Sequence, residues 1–276
     1  MRYQRGTIAL SDSRDYPLLR RVLHCGFVTS TQLYEFMKLD CTASSRNAFN
    51  NRLRRLLTHE LLLRHDIPSM NQGVVYSISR AGIQEMIGKG ESSSGSLNGG
   101  GLPGGHVQHA LELNEVHLSL KRTGMLVRWT PKSDIRSRHE FTDMGYVKDY
   151  DARIAVRLDN REHCFALEYE RTEKGRQQYE RIWNRIEAET NLCCFLYLVP
   201  NHGLLSSLLR MFGDCRRQVH FGLRSEFLAE TLSLSVQSSQ PSPSTTFRAV
   251  LAGDRSAQAN KDSTDTTTNH SPLLTY

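Results

Sequence analysis

The chain has 276 residues, 38% of them hydrophobic and 23% charged, a balance that suits a globular protein with one or two cores. No run of eighteen apolar residues occurs, and Met1-Arg2-Tyr3-Gln4-Arg5 opens nothing like a signal peptide, so no membrane partner is expected and the expected location is cytoplasmic. The net charge of +6 is uneven: residues 1–90 hold 13 Lys and Arg against 7 Asp and Glu, while 22 basic and 22 acidic residues cancel in the remainder, the asymmetry of a polyanion-binding unit joined to a neutral one.

In chain order, the first expected helix runs from about Arg14 to His24, with Leu18, Leu19, Val22 and Leu23 on one face and Gly26 as its stop. A second opens at Thr29, where T-S-T-Q supplies a capping box with Gln32 in the third position. A third is expected from about Ala43 to His59. Phe49, Leu53, Leu56 and Leu57 form its apolar stripe, and its other face carries Ser44, Ser45, Arg46, Asn47, Asn50, Arg54 and Arg55. Two short strands, Leu61–His65 and Val74–Ser79, come next around a turn at residues 68–73, and a helix from Ala81 to Ile87 closes the unit. This order over residues 13–88 is that of a winged helix-turn-helix domain. Such a domain places its third helix in the major groove of double-stranded DNA, where Ser, Arg and Asn near the helix start reach base edges. Ser44, Ser45, Arg46, Asn47, Asn50 and Arg54 are the candidate DNA-binding residues, with Arg64 on the hairpin as a phosphate contact. A helix of this kind is also an ordinary solvated surface helix, and such modules also serve as protein-contact surfaces.

Residues 89–105, G-S-rich throughout, read as a flexible linker between independent folding units. Residues 106–234 read as an α/β domain: a helix from His106 to Thr123, strands near Met125–Trp129, Asp151–Leu158, Cys164–Glu170 and Cys193–Val199, and a helix from about Lys174 to Glu189. Residues 235–276, rich in Ser, Thr, Gln, Asn and Pro, are expected to form a disordered tail. The six cysteines form no C-x-x-C pair, so reduced thiols and no structural metal are expected.

The most informative stretch is D-A-R-I-A-V-R-L-D-N-R-E-H-C-F-A-L-E-Y-E (151–170). With a hairpin turn centred on Asn160-Arg161, Asp151 lies opposite Glu170 and Arg153 opposite Glu168, so one face collects three carboxylates and an arginine. Such a group could hold a divalent cation through oxygen ligands. Equally, Arg153 pairs with Glu168 and the face is ordinary charged surface.

Three segments, H-A-L-E-L-N-E-V-H-L-S-L (109–120), Y-D-A-R-I-A-V (150–156) and A-L-E-Y-E-R-T-E-K (166–174), followed by R-Q-Q-Y-E-R-I, resemble the replication-relaxation family of plasmid and mobile-element proteins. Members of that family join a winged helix to a domain similar to the PD-(D/E)xK nuclease fold. The resemblance covers roughly residues 13–200 and implies an α+β protein acting as a DNA-binding accessory factor in plasmid replication, relaxation, mobilisation or transcription. Its implied partners are duplex DNA and a relaxase or replication initiator. Homodimers on palindromic sites are common for such regulators, although no heptad here argues for one. On the nuclease pattern Asp151 matches the metal-binding aspartate, with Tyr150 where proline is usual, and Glu168 matches the acidic residue of ExK. Glu170 then stands where the catalytic lysine belongs, a carboxylate of the wrong sign to stabilise a phosphoryl transition state. The expectation is therefore a non-catalytic second domain without cofactor. The alternative is a magnesium-dependent DNA endonuclease with Asp151 and Glu168 as metal ligands and Glu170 and Lys174 beside them.

Overall fold

The structure, a computed structural model, describes residues 8–43, 45–67, 73–91, 104–135, 147–240 and 242–253. The protein is α+β. Its N-terminal third contains α1 (Asp15–Cys25), α2 (Ser30–Leu39), α3 (Arg46–Thr58), an antiparallel hairpin of β1 (Leu62–Asp66) and β2 (Val74–Ile78), and α4 (Arg80–Gly88). The ends of these elements have local causes. Gly26, at φ +68, closes α1 through its N–H, bonded back to Val22 and Leu23. Thr29 and Gln32 form the reciprocal capping box of α2, with bonds of 3.1 and 3.3 Å. Ser45 and Ser79 cap α3 and α4 by accepting from Ala48 N and Gly82 N. Leu18, Leu19, Val22, Leu33, Phe36, Phe49, Leu53 and Leu56 meet as one buried core under the hairpin.

The remainder is built on a seven-stranded mixed sheet in the order β3 (Leu126–Pro131), β4 (Ala152–Leu158), β5 (Arg161–Tyr169), β6 (Phe195–Val199), β7 (His220–Leu223), β8 (Ser235–Ser238) and β9 (Thr245–Thr246). The outer pairs are antiparallel and β5–β6–β7 are parallel. Parallel neighbours need crossovers, and α6 (Arg176–Ala188) and α7 (His202–Met211) supply them. Strand β6 shows the layering: Phe195, Tyr197 and Val199 point to the α6–α7 side, while Leu196 and Leu198 point to the core made with α5 (Gly104–Arg122), α8 (Arg224–Glu230) and α9 (Phe247–Gly253). Both faces of the sheet are thus covered.

Several expectations change. Helix α3 begins at Arg46, because residues 42 and 43 donate their N–H groups to Met37 O and finish α2 instead. The β4–β5 turn is Asp159-Asn160, both left-handed at φ 48 and 61, as a two-residue hairpin requires. The register is therefore Arg153↔Ala166 rather than Arg153 opposite Glu168, and Asp151, one step outside Ala152↔Leu167, comes level with Glu168. The stretch expected as a disordered tail contains β8, β9 and α9, with Val236, Phe247 and Leu251 buried. Most of the expected linker, residues 92–103, lies outside the described residues. Helix α5 also packs on both halves. Gln32 Nε2 donates to Leu111 O at 2.9 Å, Asn114 Nδ2 to Phe27 O at 2.8 Å, and Leu118 belongs to the N-terminal core.

Candidate nucleic-acid interface and a buried charge cluster

Helix α3 buries Phe49, Leu53 and Leu56 and leaves Asn47, Asn50, Asn51 and Arg54 exposed. These four are spaced i, i+3, i+4 and i+7, so they line one strip along the helix. Arg54 donates to Asn51 Oδ1 at 3.3 Å, which ties two of them together. Other expected readers are occupied. Ser45 is spent on the cap, and Arg46 lies 4.7 Å over the Tyr34 ring and 5.4 Å over Phe49, with its guanidinium donating to Ser30. Arg46 is thus part of the α2–α3 joint as much as of the surface. Arg64 is exposed on the hairpin and bonds Asp66 at 2.9 Å. Ser44 lies outside the described residues.

The second feature lies at the edge of β4 and β5. Asp151 is 7% exposed; its Oδ2 accepts from Tyr169 N at 3.0 Å and from His109 Nε2 at 3.1 Å, and Lys132 Nζ stands 3.6 Å from Oδ1. His109 also contacts Tyr169 O at 3.1 Å and stacks on the Tyr169 ring. Glu168 pairs with Lys148, and Glu170 with Lys174. The alternative of an Arg153–Glu168 pair is overturned: Arg153 instead donates to Cys164 Sγ. Asp151 and Glu168 thus lie close enough for each to bear on the other's charge, while Glu170 and Lys174 form a pair of their own on the next residues of the chain. The structure adds His109, Lys132 and Lys148, which sequence reasoning missed.

The electrostatics derive from this arrangement. Burial alone would raise the Asp151 carboxyl, but the His109 hydrogen bond, the Lys132 charge and the Tyr169 N–H hold it far below the ordinary carboxylate range. Burial pushes Glu168 up, and the negative Asp151 adds to this while Lys148 and Lys132 oppose it. Burial works against a charged His109, yet its bond to Asp151 keeps its value above that of a free imidazole. Beneath the cluster the Tyr197 hydroxyl is buried without a hydrogen-bond partner among the described residues, and burial beside Glu168 raises it.

The carboxylates of this region are engaged by protein groups. One oxygen of Asp151 already accepts two hydrogen bonds, and Glu168 and Glu170 are each neutralised by a lysine. An ion would have to displace those ammonium groups, and among the described residues no three His, Cys, Asp or Glu side chains converge on a common point. Each carboxylate of this region thus has a cationic neighbour: Lys132 and His109 for Asp151, Lys148 for Glu168 and Lys174 for Glu170. No helix among the described residues is long and apolar enough to cross a membrane. Comparison with protein-family models, with curated proteins and with solved structures finds no match to this chain.

Proposed function

We propose that the protein binds duplex DNA through its N-terminal third, used as a winged helix-turn-helix, and that the second domain is a non-catalytic support. The observation that carries this reading is the outer strip of α3: four exposed side chains able to donate and accept hydrogen bonds, on a helix whose opposite face is anchored in the core. The confinement of the whole +6 excess to residues 1–90 supports it, since phosphate attraction supplies most of the affinity of such proteins. The hairpin after α3 offers Arg64 to the backbone beside the groove. In this reading the protein is a cytoplasmic accessory factor of a plasmid or mobile element, similar to the replication-relaxation proteins. It acts in replication, mobilisation or transcription beside a relaxase or initiator. The test is selection of binding sites from a random duplex library, followed by anisotropy titration of the selected site. Asn50→Ala and Arg54→Ala should each relax the base preference at one or two positions, costing about 1–3 kcal/mol for the preferred base. Failure to enrich any sequence would end the reading.

The endonuclease reading has one observation in its favour, the approach of Asp151 to Glu168 with Lys132 and Lys148 beside them. Supercoiled plasmid with magnesium separates the two: the parent should leave it intact. Nicking by the parent that is lost in Asp151→Ala would replace the first reading of the second domain.

A further inference from the structure

Three arginines, Arg14, Arg52 and Arg55, and the single carboxylate of Asp15 line an open cleft of about 580 Å³ together with Ser11, Ser13 and Asn51. Asp15 is 1% exposed and fixes the floor: Arg55 pairs with its Oδ2, and Arg52 Nε stands 3.5 Å from Oδ1. Arg52 spends its remaining reach on Thr42 O. The cleft's lining thus carries three guanidinium groups and one carboxylate, an excess of two positive charges. Crowding of this kind is costly in a finished structure; burial, with Arg14 and Arg55 nearby, depresses the Arg52 value below that of a free guanidinium while Asp15 opposes it. Arg14 is exposed and takes no side-chain partner among the described residues, and Arg55 is still 44% exposed at its side chain. The hydroxyls of Ser11 and Ser13, 3.2 Å apart, add neutral donors at the rim. Asn51 belongs both to this cleft and to the outer strip of α3.

We infer that this cleft seats a phosphate of the nucleic-acid backbone, clamped by Arg14 and Arg55 and held in place by the Asp15 anchor while α3 lies in the adjacent groove. The inference rests on the duplex-binding reading above and gives it a second point of attachment. A phosphate diester supplies the missing negative charge, and a planar guanidinium can hold its two free oxygens together. Backbone seats of this kind fix register without reading sequence.

The test uses the full chain and a fluorescent mixed-sequence duplex, titrated at several salt concentrations. Arg14→Gln and Ser13→Asp change exposed positions and leave the Asp15 pairs untouched; Arg210→Gln on α7 is the control for an equal loss of charge. If the seat is real, Arg14→Gln flattens the dependence of log affinity on log salt by about 1, Ser13→Asp weakens binding several-fold, and Arg210→Gln changes neither. If the parent binds and both cleft variants match it in slope and affinity, the seat is refuted while DNA binding stands. If the parent fails to bind the duplex above the level of an unrelated protein of equal charge, both the seat and the reading on which it rests are overturned.

Discussion

Replacing Lys148 with Met tests the charge cluster at its most buried pair. Lys148 and Glu168 side chains are 10% and 12% exposed, so solvent screens them little. Two unit charges about 4 Å apart at an effective dielectric of about 20 attract by about 4 kcal/mol. Removing one member of such a buried pair costs about 3–5 kcal/mol, because the survivor stays desolvated. Lys132 still favours the ionised Glu168, so the lower end, about 3 kcal/mol at pH 8, is expected. Glu168 already sits above the ordinary carboxylate value through burial, and loss of Lys148 raises it further. A carboxyl with a raised native value binds its proton more tightly folded than unfolded, so the variant's deficit grows as pH rises through that value and shrinks as pH falls toward about 5. Urea denaturation followed by circular dichroism at about pH 5 and pH 8 measures both effects. The double variant Lys148→Met/Glu168→Gln should recover to within about 1 kcal/mol of the parent, since no uncompensated charge remains. A single-variant loss under about 1 kcal/mol at pH 8, or a deficit equal at the two pH values, would refute the arrangement.

Three further outcomes are expected. A Cβ on Gly82 would stand 2.2 Å from Leu61 O and 2.8 Å from Ile78 Cγ1, so Gly82→Ala should cost about 1–3 kcal/mol in a urea melt, while Gly88→Ala, with open space around it, should cost nothing. His109 is held above its free value by Asp151, so its contribution is complete below about pH 6.5 and is lost as pH rises through the native value; His109→Gln should remove that decline from urea midpoints measured between about pH 6 and 9. Phe247 is fully buried against Phe165 at 5.0 Å between ring centres, so Phe247→Ala should cost about 3–5 kcal/mol, whereas a disordered tail would make the same change silent in thermal unfolding.

The features legible in the sequence are those that near neighbours determine. Thr29 and Gln32 announce α2 because the capping box is complete within four residues, and Phe49, Leu53 and Leu56 announce α3 by spacing alone. The face shared by Asp151, Glu168 and Glu170 comes from strand alternation, which survives an error of register; the register itself does not, because Asp159 adopts the left-handed backbone as readily as Asn160 and moves the turn by one residue. The cations of the cluster are invisible for a different reason. Lys148 meets Glu168 across 20 residues and His109 meets Asp151 across 42, and no periodicity carries such pairings. The C-terminal misreading comes from composition: Ser and Thr dominate residues 235–246, yet Phe247 and Leu251, four apart, are the apolar pair that a short buried helix needs.

Helix α5 changes how the two halves act together. Its N-terminal part holds His109 against Asp151 and Tyr169; close beyond it, Leu111 O receives Gln32, and Asn114 reaches Phe27 O. Its last turns pair Lys121 with Asp40 at 2.6 Å and stack His117 on Trp129, the ring 4.0 Å away and nearly parallel, with Phe36 meeting His117 edge-on from the other half. Gln32, Asn114 and His117 are all buried, so separating the halves would strand polar groups of both as well as expose the apolar Leu118. One helix thus belongs to the core beneath α3 and to the charge cluster on the sheet. A flexible tether between independent domains would let the second half sample many positions around bound DNA. A shared helix instead holds whatever surface the second half offers at one distance from the strip of Asn47, Asn50, Asn51 and Arg54. In the proposed function, this makes the second domain a fixed ruler beside the bound site, and a partner that docks on it meets the DNA in a single register.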